Sequence, residues 1–220
     1  MKAKPNSYIE HTNLRSELID RDIDQLISEA KKHQFFGVCV PPFWVKKASR
    51  ELKASDIQLV TVIGFPLGYQ MTQTKMAEME LAIADGADEM DLVMNVSAFK
   101  SGMSWPKIEM AKAAKMAHEH NKLLKVIVET ALLSEDELVQ VSKIVSDAGV
   151  DFIKTSTGFS SRGASVRDIE IMKMNISSNV GIKASGGIKT LSQLQSLIDA
   201  GAERIGTSSG VSIMKDYYDG

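Results

Sequence analysis

Asp147-Ala148-Gly149-Val150-Asp151-Phe152-Ile153-Lys154-Thr155-Ser156-Thr157-Gly158 holds a helix end, a tight turn and a buried strand in one short stretch. Glycine just past a helix takes the left-handed conformation that stops it. Phe152-Ile153 then begins a strand, and Lys154 ends it before a loop of small hydroxyl residues and glycine. Asp85-Gly86-Ala87-Asp88 and Ala200-Gly201-Ala202-Glu203 repeat the device ahead of two other apolar runs. A recurring helix–glycine–strand phase predicts parallel βα units.

Working outward, strand-length runs fall at 8–11, 37–40, 59–63, 89–94, 123–128, 152–154, 180–183 and 204–206. Val60-Thr61-Val62-Ile63 and Val126-Ile127-Val128 are apolar on nearly every residue, as parallel strands covered on both faces require. Helix-period segments lie between the runs. Ile23, Leu26, Ile27 and Ala30 share one face; Met76, Met79, Glu80 and Ile83 begin another helix; Leu138, Val141, Ser142 and Val145 mark a third behind the cap Ser134-Glu135-Asp136-Glu137. Others are expected over about 42–53, 104–120, 165–175, 190–200 and 210–218. Eight units in 220 residues predict a lean (β/α)8 TIM barrel, with residues 1–220 as a single catalytic domain. A doubly wound open sheet is the alternative. It loses support because no Gly-x-Gly-x-x-Gly follows the first strand and no Gly-x-x-x-x-Gly-Lys-Ser/Thr occurs.

Composition narrows the class. A net charge of −2 gives no general attraction to nucleic acid or membrane. The one cysteine, Cys39, excludes an internal disulfide and fits a reducing compartment. Met1-Lys2-Ala3-Lys4-Pro5-Asn6 carries no apolar run, so no secretory signal is expected. No stretch reaches the roughly 18 apolar residues of a membrane helix. The expectation is a cytoplasmic soluble protein.

In a barrel, functional groups gather at the carboxyl ends of the strands. Polar residues at those ends are Glu10, His11, Cys39, Asp91, Asn95, Glu129, Thr130, Lys154, Thr155, Thr157, Lys183, Ser185, Ser208 and Ser209. Gly181-Ile182-Lys183-Ala184-Ser185-Gly186-Gly187 is a near twin of the Lys154 stretch. One such lysine alone reads as snorkelling to solvent. Two lysines beside a strand aspartate read otherwise. One carboxylate with two ammonium groups leaves an unpaired positive charge, and desolvation and a like charge both favour a neutral amine. A neutral lysine is a nucleophile towards carbonyl carbon. Asp91 is expected to share a face with Val93 and Asn95, and Lys154 with Ser156, towards the barrel mouth.

Gly186-Gly187-Ile188-Lys189-Thr190 and Gly206-Thr207-Ser208-Ser209-Gly210 follow the seventh and eighth strands, each opening a helix. That is the usual phosphate seat of such barrels, although glycines also make plain βα turns. No His/Cys/Asp/Glu cluster has metal-ligand spacing, so no metal or cofactor is expected. His33, His118 and His120 read as solvated, His11 as a structural hydrogen-bonding group, and Cys39 as a buried hydrophobe. The twelve methionines read as packing residues, and Trp44 and Trp105, each beside proline, as braces for helix starts.

Tyr8-Ile9-Glu10-His11-Thr12, Val62-Ile63-Gly64-Phe65-Pro66-Leu67-Gly68, Glu89-Met90-Asp91-Leu92-Val93-Met94-Asn95, Lys125-Val126-Ile127-Val128-Glu129-Thr130 and the two lysine stretches together resemble the deoxyribose-phosphate aldolase family over nearly the whole chain. The resemblance implies a metal-free class I aldolase that cleaves 2-deoxy-D-ribose 5-phosphate reversibly to D-glyceraldehyde 3-phosphate and acetaldehyde, in deoxyribonucleoside catabolism. It implies Lys154 as the Schiff-base lysine, Lys183 as the lysine that perturbs it, and Asp91 in the proton relay. Gly186, Gly187, Gly206, Ser208 and Ser209 match phosphate-binding positions, and Thr155 and Thr157 the substrate-facing strand end. Its expected partners are a small phosphosugar and an aldehyde, with a homodimer plausible. The chain departs from the pattern at Glu10 (usually aspartate), Asn13 (usually leucine) and Arg162-Gly163-Ala164-Ser165 (usually Gly-Gly-Ala-Thr). Tyr217 and Tyr218 lie near the end, with Gly220 last, and take no assigned role. Two other readings stand beside this one: another lysine-imine aldolase of phosphorylated sugars or keto-acids, and a non-catalytic phosphosugar-binding barrel.

Overall fold

A computed structural model describes residues 4–219; Met1–Ala3 of the N-terminal stretch and Gly220 lie outside the described residues. Eight parallel strands close into a barrel in chain order: β1 (Ile9–Thr12), β2 (Gly37–Val40), β3 (Gln58–Ile63), β4 (Glu89–Val93), β5 (Leu123–Ile127), β6 (Phe152–Lys154), β7 (Gly181–Ser185) and β8 (Arg204–Thr207). β8 pairs back to β1, which leaves no open edge. All eight expected strands are present, with ends shifted by at most a few residues. The open-sheet alternative falls on the β1–β8 pairing.

The helices are α1 (Asp20–His33), α2 (Val45–Leu52), α3 (Thr72–Ala84), α4 (Val96–Lys100), α5 (Trp105–Glu119), α6 (Glu135–Asp147), α7 (Val166–Asn175), α8 (Leu191–Ala200) and α9 (Gly210–Asp219). Their ends carry the expected chemistry. Ser134 and Glu137 form a reciprocal capping box on α6, and Thr190 and Gln193 form another on α8. Gly86, Gly149 and Gly201, the glycines of the internal repeat, all have positive φ.

Most apolar side chains lie between barrel and helices in one continuous core. No helix among the described residues is long and apolar enough to cross a membrane. A smaller apolar cluster of Cys39, Val60 and Val62, with Leu14 and Phe65 against it, is separate from that core.

Two expectations need correction. First, α3 keeps Met79 buried and Met76 and Ile83 half-buried against the core, but Glu80 is exposed and the buried face continues through Thr72, Lys75 and Ala82. The reason is polar burial. Lys75 is fully buried, donating to the carbonyl of Val93 at 2.8 Å and to Glu109 Oε1 at 2.7 Å, while Thr72 donates to Glu109 Oε2 at 2.7 Å. Second, Asn95 caps α4 by accepting the N–H of Ala98 at 3.0 Å, so its side-chain oxygen serves a helix start.

Candidate active site

The strand register brings the charged residues together. Asp91 on β4 pairs with Lys125 on β5, and Lys154 on β6 pairs with Lys183 on β7. Lys154 Nζ donates to Asp91 Oδ2 at 2.7 Å, and Lys183 Nζ donates to the same oxygen at 2.6 Å. Lys183 also binds Glu10 Oε2 in a short contact. Lys125 Nζ lies 3.1 Å from Asp91 Oδ1 and 3.5 Å from Glu10 Oε1, and binds Glu89 in a short ion pair. None of these six side chains is more than 4% exposed.

The charge balance therefore differs from the one read along the chain. Lys125, Glu10 and Glu89 join the group, so three carboxylates face three amines, and no positive charge is left over. What separates the amines is how the carboxylates are shared. Lys125 touches three and Lys183 touches two. Lys154 touches only Asp91, which it shares. Burial opposes charge on all three lysines. For Lys154 it prevails: burial and the positive charge of Lys183 outweigh Asp91, and its pKa falls below the usual lysine value. For Lys183 burial is overcome by Asp91 and Glu10, and its pKa rises. Lys125 also rises, against burial, through Asp91, Glu10 and Glu89. Burial pushes the Asp91 carboxyl up, but Lys125, Lys154 and Lys183 together hold it well below the usual aspartate range. Lys154 is thus the amine most ready to lose its proton.

Above this floor opens a cavity of about 680 Å³. Lys154, Thr157, Gly186, Gly187, Gly206, Ser208 and Ser209 line it, together with Lys189 and the segment from His11 to Arg15. Gly186 and Gly187 both have positive φ. Gly186 passes so close to Gly163 that a Cβ on Gly163 would meet its carbonyl oxygen at 1.9 Å. A Cβ on Gly206 would sit 3.2 Å from Cε of Lys183. The loops run into the N-termini of α8 and α9, so two positive helix ends lie at the cavity's glycine loops, a natural seat for an anion.

Thr155 stands apart from the cavity lining. Its hydroxyl donates to the carbonyl of Ser185 at 3.2 Å and accepts the N–H of Ser185 at 3.0 Å, which ties β6 to β7. Asp91 and Lys183 lie beneath the lining, behind Lys154. Ser156 is buried, its carbonyl accepting from the Ser185 hydroxyl at 2.6 Å. His11 bonds Glu29 Oε2 at 2.7 Å. Cys39 is fully buried, and that burial raises its thiol pKa to about 11. His118 is exposed but pairs with Asp151, and Trp105, at the start of α5, donates to Thr72 at 3.0 Å. Arg162 forks onto Asp168 at 2.5 and 3.2 Å and onto the Thr130 carbonyl, beside the mouth.

Lys125, Glu89, Lys189 and Arg15 were not singled out from sequence. The Lys125 signal was present: in Leu124-Lys125-Val126 the lysine interrupts a run of core residues, opposite the strand aspartate in register.

A closed parallel barrel, an amine cluster on its floor and glycine loops over its seventh and eighth strands define a barrel enzyme of the aldolase class. The comparisons make the family explicit. A model described as DeoC/LacD family aldolase matches residues 7–219, and the chain belongs to that family. A deoxyribose-phosphate aldolase of Mycoplasmoides pirum is 51% identical over 214 residues, covering 96% of each chain. One from Lactococcus lactis subsp. lactis is 47% identical over 210 residues, covering 96% of this chain and 95% of the relative. Among solved structures, one titled "QR15, an Aldolase" superposes with a TM-score of 0.92 at 39% identity, covering 97% of this chain and 96% of that one. A deoxyribose phosphate aldolase from Aeropyrum pernix, described as tetrameric, gives 0.91 at 29% identity, covering 97% and 91%.

Proposed function

We propose that this chain cleaves 2-deoxy-D-ribose 5-phosphate reversibly into D-glyceraldehyde 3-phosphate and acetaldehyde through an imine on Lys154. One observation carries the reading. Two buried lysines converge on a single oxygen of Asp91 at 2.7 and 2.6 Å, and of these three residues only Lys154 reaches the cavity. Phosphosugar binding alone needs no such amine pair, which disfavours the non-catalytic alternative.

In the cleavage direction, neutral Lys154 attacks C1 of the open-chain sugar, and loss of water gives an iminium. The 3-hydroxyl gives up its proton as the C2–C3 bond breaks. The bonding pair flows into the iminium and leaves an enamine, while glyceraldehyde 3-phosphate departs. Protonation of the enamine carbon and hydrolysis of the imine release acetaldehyde and restore the amine. Asp91, through water, carries protons to and from the reacting atoms. Lys183 stays charged and keeps Lys154 neutral. The glycine loops at Gly186, Gly187, Gly206, Ser208 and Ser209 hold the phosphate, and Thr157 contacts the substrate; Thr155 supports the wall from behind.

We assign residues 1–220 to one catalytic domain acting in the cytoplasm; the lone buried cysteine fits a reducing compartment. Incubation of the purified protein with 2-deoxyribose 5-phosphate and a panel of phosphorylated sugars and keto-acids tests the reaction, with both aldehyde products quantified. Equal or better turnover of another panel member would replace this assignment with a different lysine aldolase.

A further inference from the structure

Glu129 stands behind the cavity wall, bonded to the lining residue Thr157, with no part in the steps above. It follows β5, and its backbone lies in the left-handed region, with φ 55° and ψ 70°. A residue with a side chain seldom rests there, and such strain collects at functional sites. Its side chain is buried. Oε2 accepts the N–H of Thr157 at 3.2 Å and the Thr157 hydroxyl in a short hydrogen bond. Oε1 is buried with no hydrogen-bond partner among the described residues. Arg162, whose charge reaches Glu129, is bound instead to Asp168 and Thr130. A strained backbone carrying a half-satisfied buried carboxylate disfavours the folded state, so stability does not explain the arrangement.

Its effect falls on Thr157. A hydroxyl has one proton and two lone pairs. Thr157 gives its proton to Glu129, and one lone pair accepts the N–H of Phe159 at 3.1 Å. One lone pair is left on an oxygen whose residue lines the cavity beside Lys154. In that state Thr157 can accept a hydrogen bond and cannot donate one. It can therefore bind a hydroxyl, and it offers nothing to a carbonyl or phosphate oxygen. In the substrate assigned above, the hydroxyls lie between the carbon that meets Lys154 and the phosphate on the glycine loops.

We propose that Glu129 is a positioning residue that fixes Thr157 as an acceptor-only contact, so that the site prefers acceptor aldehydes with a hydroxyl next to the carbonyl over the same aldehydes without it. This rests on the aldolase reading of the site.

The test compares two acceptors in condensation with acetaldehyde: glyceraldehyde 3-phosphate and 3-oxopropyl phosphate, which lacks that hydroxyl. The readout is the ratio of their kcat/KM values. Hydrogen bonds backed by a charge are the stronger kind, so Glu129→Met should lower the ratio about tenfold or more. Thr157→Val should lower it by a similar factor, and it keeps the proposal testable should Glu129→Met fail to fold. Glu129→Gln, which retains an acceptor for Thr157, should recover most of the ratio. Equal losses on both acceptors would reduce Glu129 to a structural staple, and an unchanged ratio in Thr157→Val would remove the contact altogether. Trapping of the wild-type imine with acetaldehyde and borohydride separates the two levels. Labelled Lys154 with unmoved ratios overturns this inference alone, whereas an absent label overturns the aldolase reading beneath it.

Discussion

Replacing Lys183 by methionine removes one positive charge and keeps the length of the side chain. Lys154 Nζ and Lys183 Nζ share one oxygen at 2.7 and 2.6 Å, which holds the nitrogens within about 5 Å of each other. At an effective dielectric of about 20, two unit charges at that separation repel by about 3 kcal/mol, or about 2 pKa units. The variant also leaves Asp91 Oδ2 to Lys154 alone. Both changes stabilise the ammonium form, so the Lys154 pKa should rise. The amine reacts when neutral, so the consequence is loss of reactivity on the acid side. The acidic limb of imine formation should move up by about 2 pH units, so trapping at a given pH on that limb should fall by up to about 100-fold and recover in alkali. The assay is the pH dependence of acetaldehyde-dependent borohydride labelling at Lys154, with circular dichroism confirming that the variant is folded. A limb that moves by less than about half a unit would refute the reasoning, because no rearrangement of the remaining groups replaces the lost charge at that distance.

Three further outcomes follow from other parts of the molecule. Ser209→Asp places a negative charge at the mouth where α9 begins, so KM for the phosphorylated substrate should rise at least tenfold, with a much smaller rise for unphosphorylated 2-deoxyribose; equal rises in steady-state assays would argue against a phosphate seat there. Glu109→Ala strips the buried Lys75 of its carboxylate partner and should cost about 3–5 kcal/mol in denaturant unfolding, and a loss below about 1 kcal/mol would show that the pair contributes little. Activity should survive exhaustive chelation, and a loss that added divalent metal restores would count against a metal-free Schiff-base route.

The barrel was legible because its strands are parallel and covered on both faces. Continuous apolar runs, with three of the eight strands preceded by a helix stopped at Gly86, Gly149 or Gly201, leave few other arrangements. The short helix α4 was not legible, since five residues carry too little periodicity and its cap, Asn95, reads equally well as a strand-end polar group. On α3 the sequence pattern includes the exposed Glu80 and leaves out Thr72 and Lys75 for a different reason. Periodicity assumes that buried means apolar, and Thr72 and Lys75 are buried because Glu109, one helix away in space, satisfies them.

The same contrast holds at the site. Lys154, Lys183 and Asp91 stood out because charge at the end of a buried strand needs a reason. Lys125 and Glu89 hid within strands that read as core, and their charges are intelligible only once β4 and β5 lie side by side. Thr155 was read by position at a strand end, but its hydroxyl turned to the neighbouring strand, which no single-strand argument fixes. Glu129 reads from the sequence only as a polar strand-end residue, because its left-handed backbone and its bond to Thr157 belong to three dimensions alone.

The central claim is that one particular amine bonds to carbonyl carbon. Treating the protein with acetaldehyde and borohydride, digesting it and sequencing the modified peptide by mass spectrometry tests this directly. The account predicts a single reduced two-carbon adduct on Lys154, absent without the aldehyde and lost in Lys154→Leu. A label on Lys183 or Lys125, or no label while sugar cleavage proceeds, would contradict it.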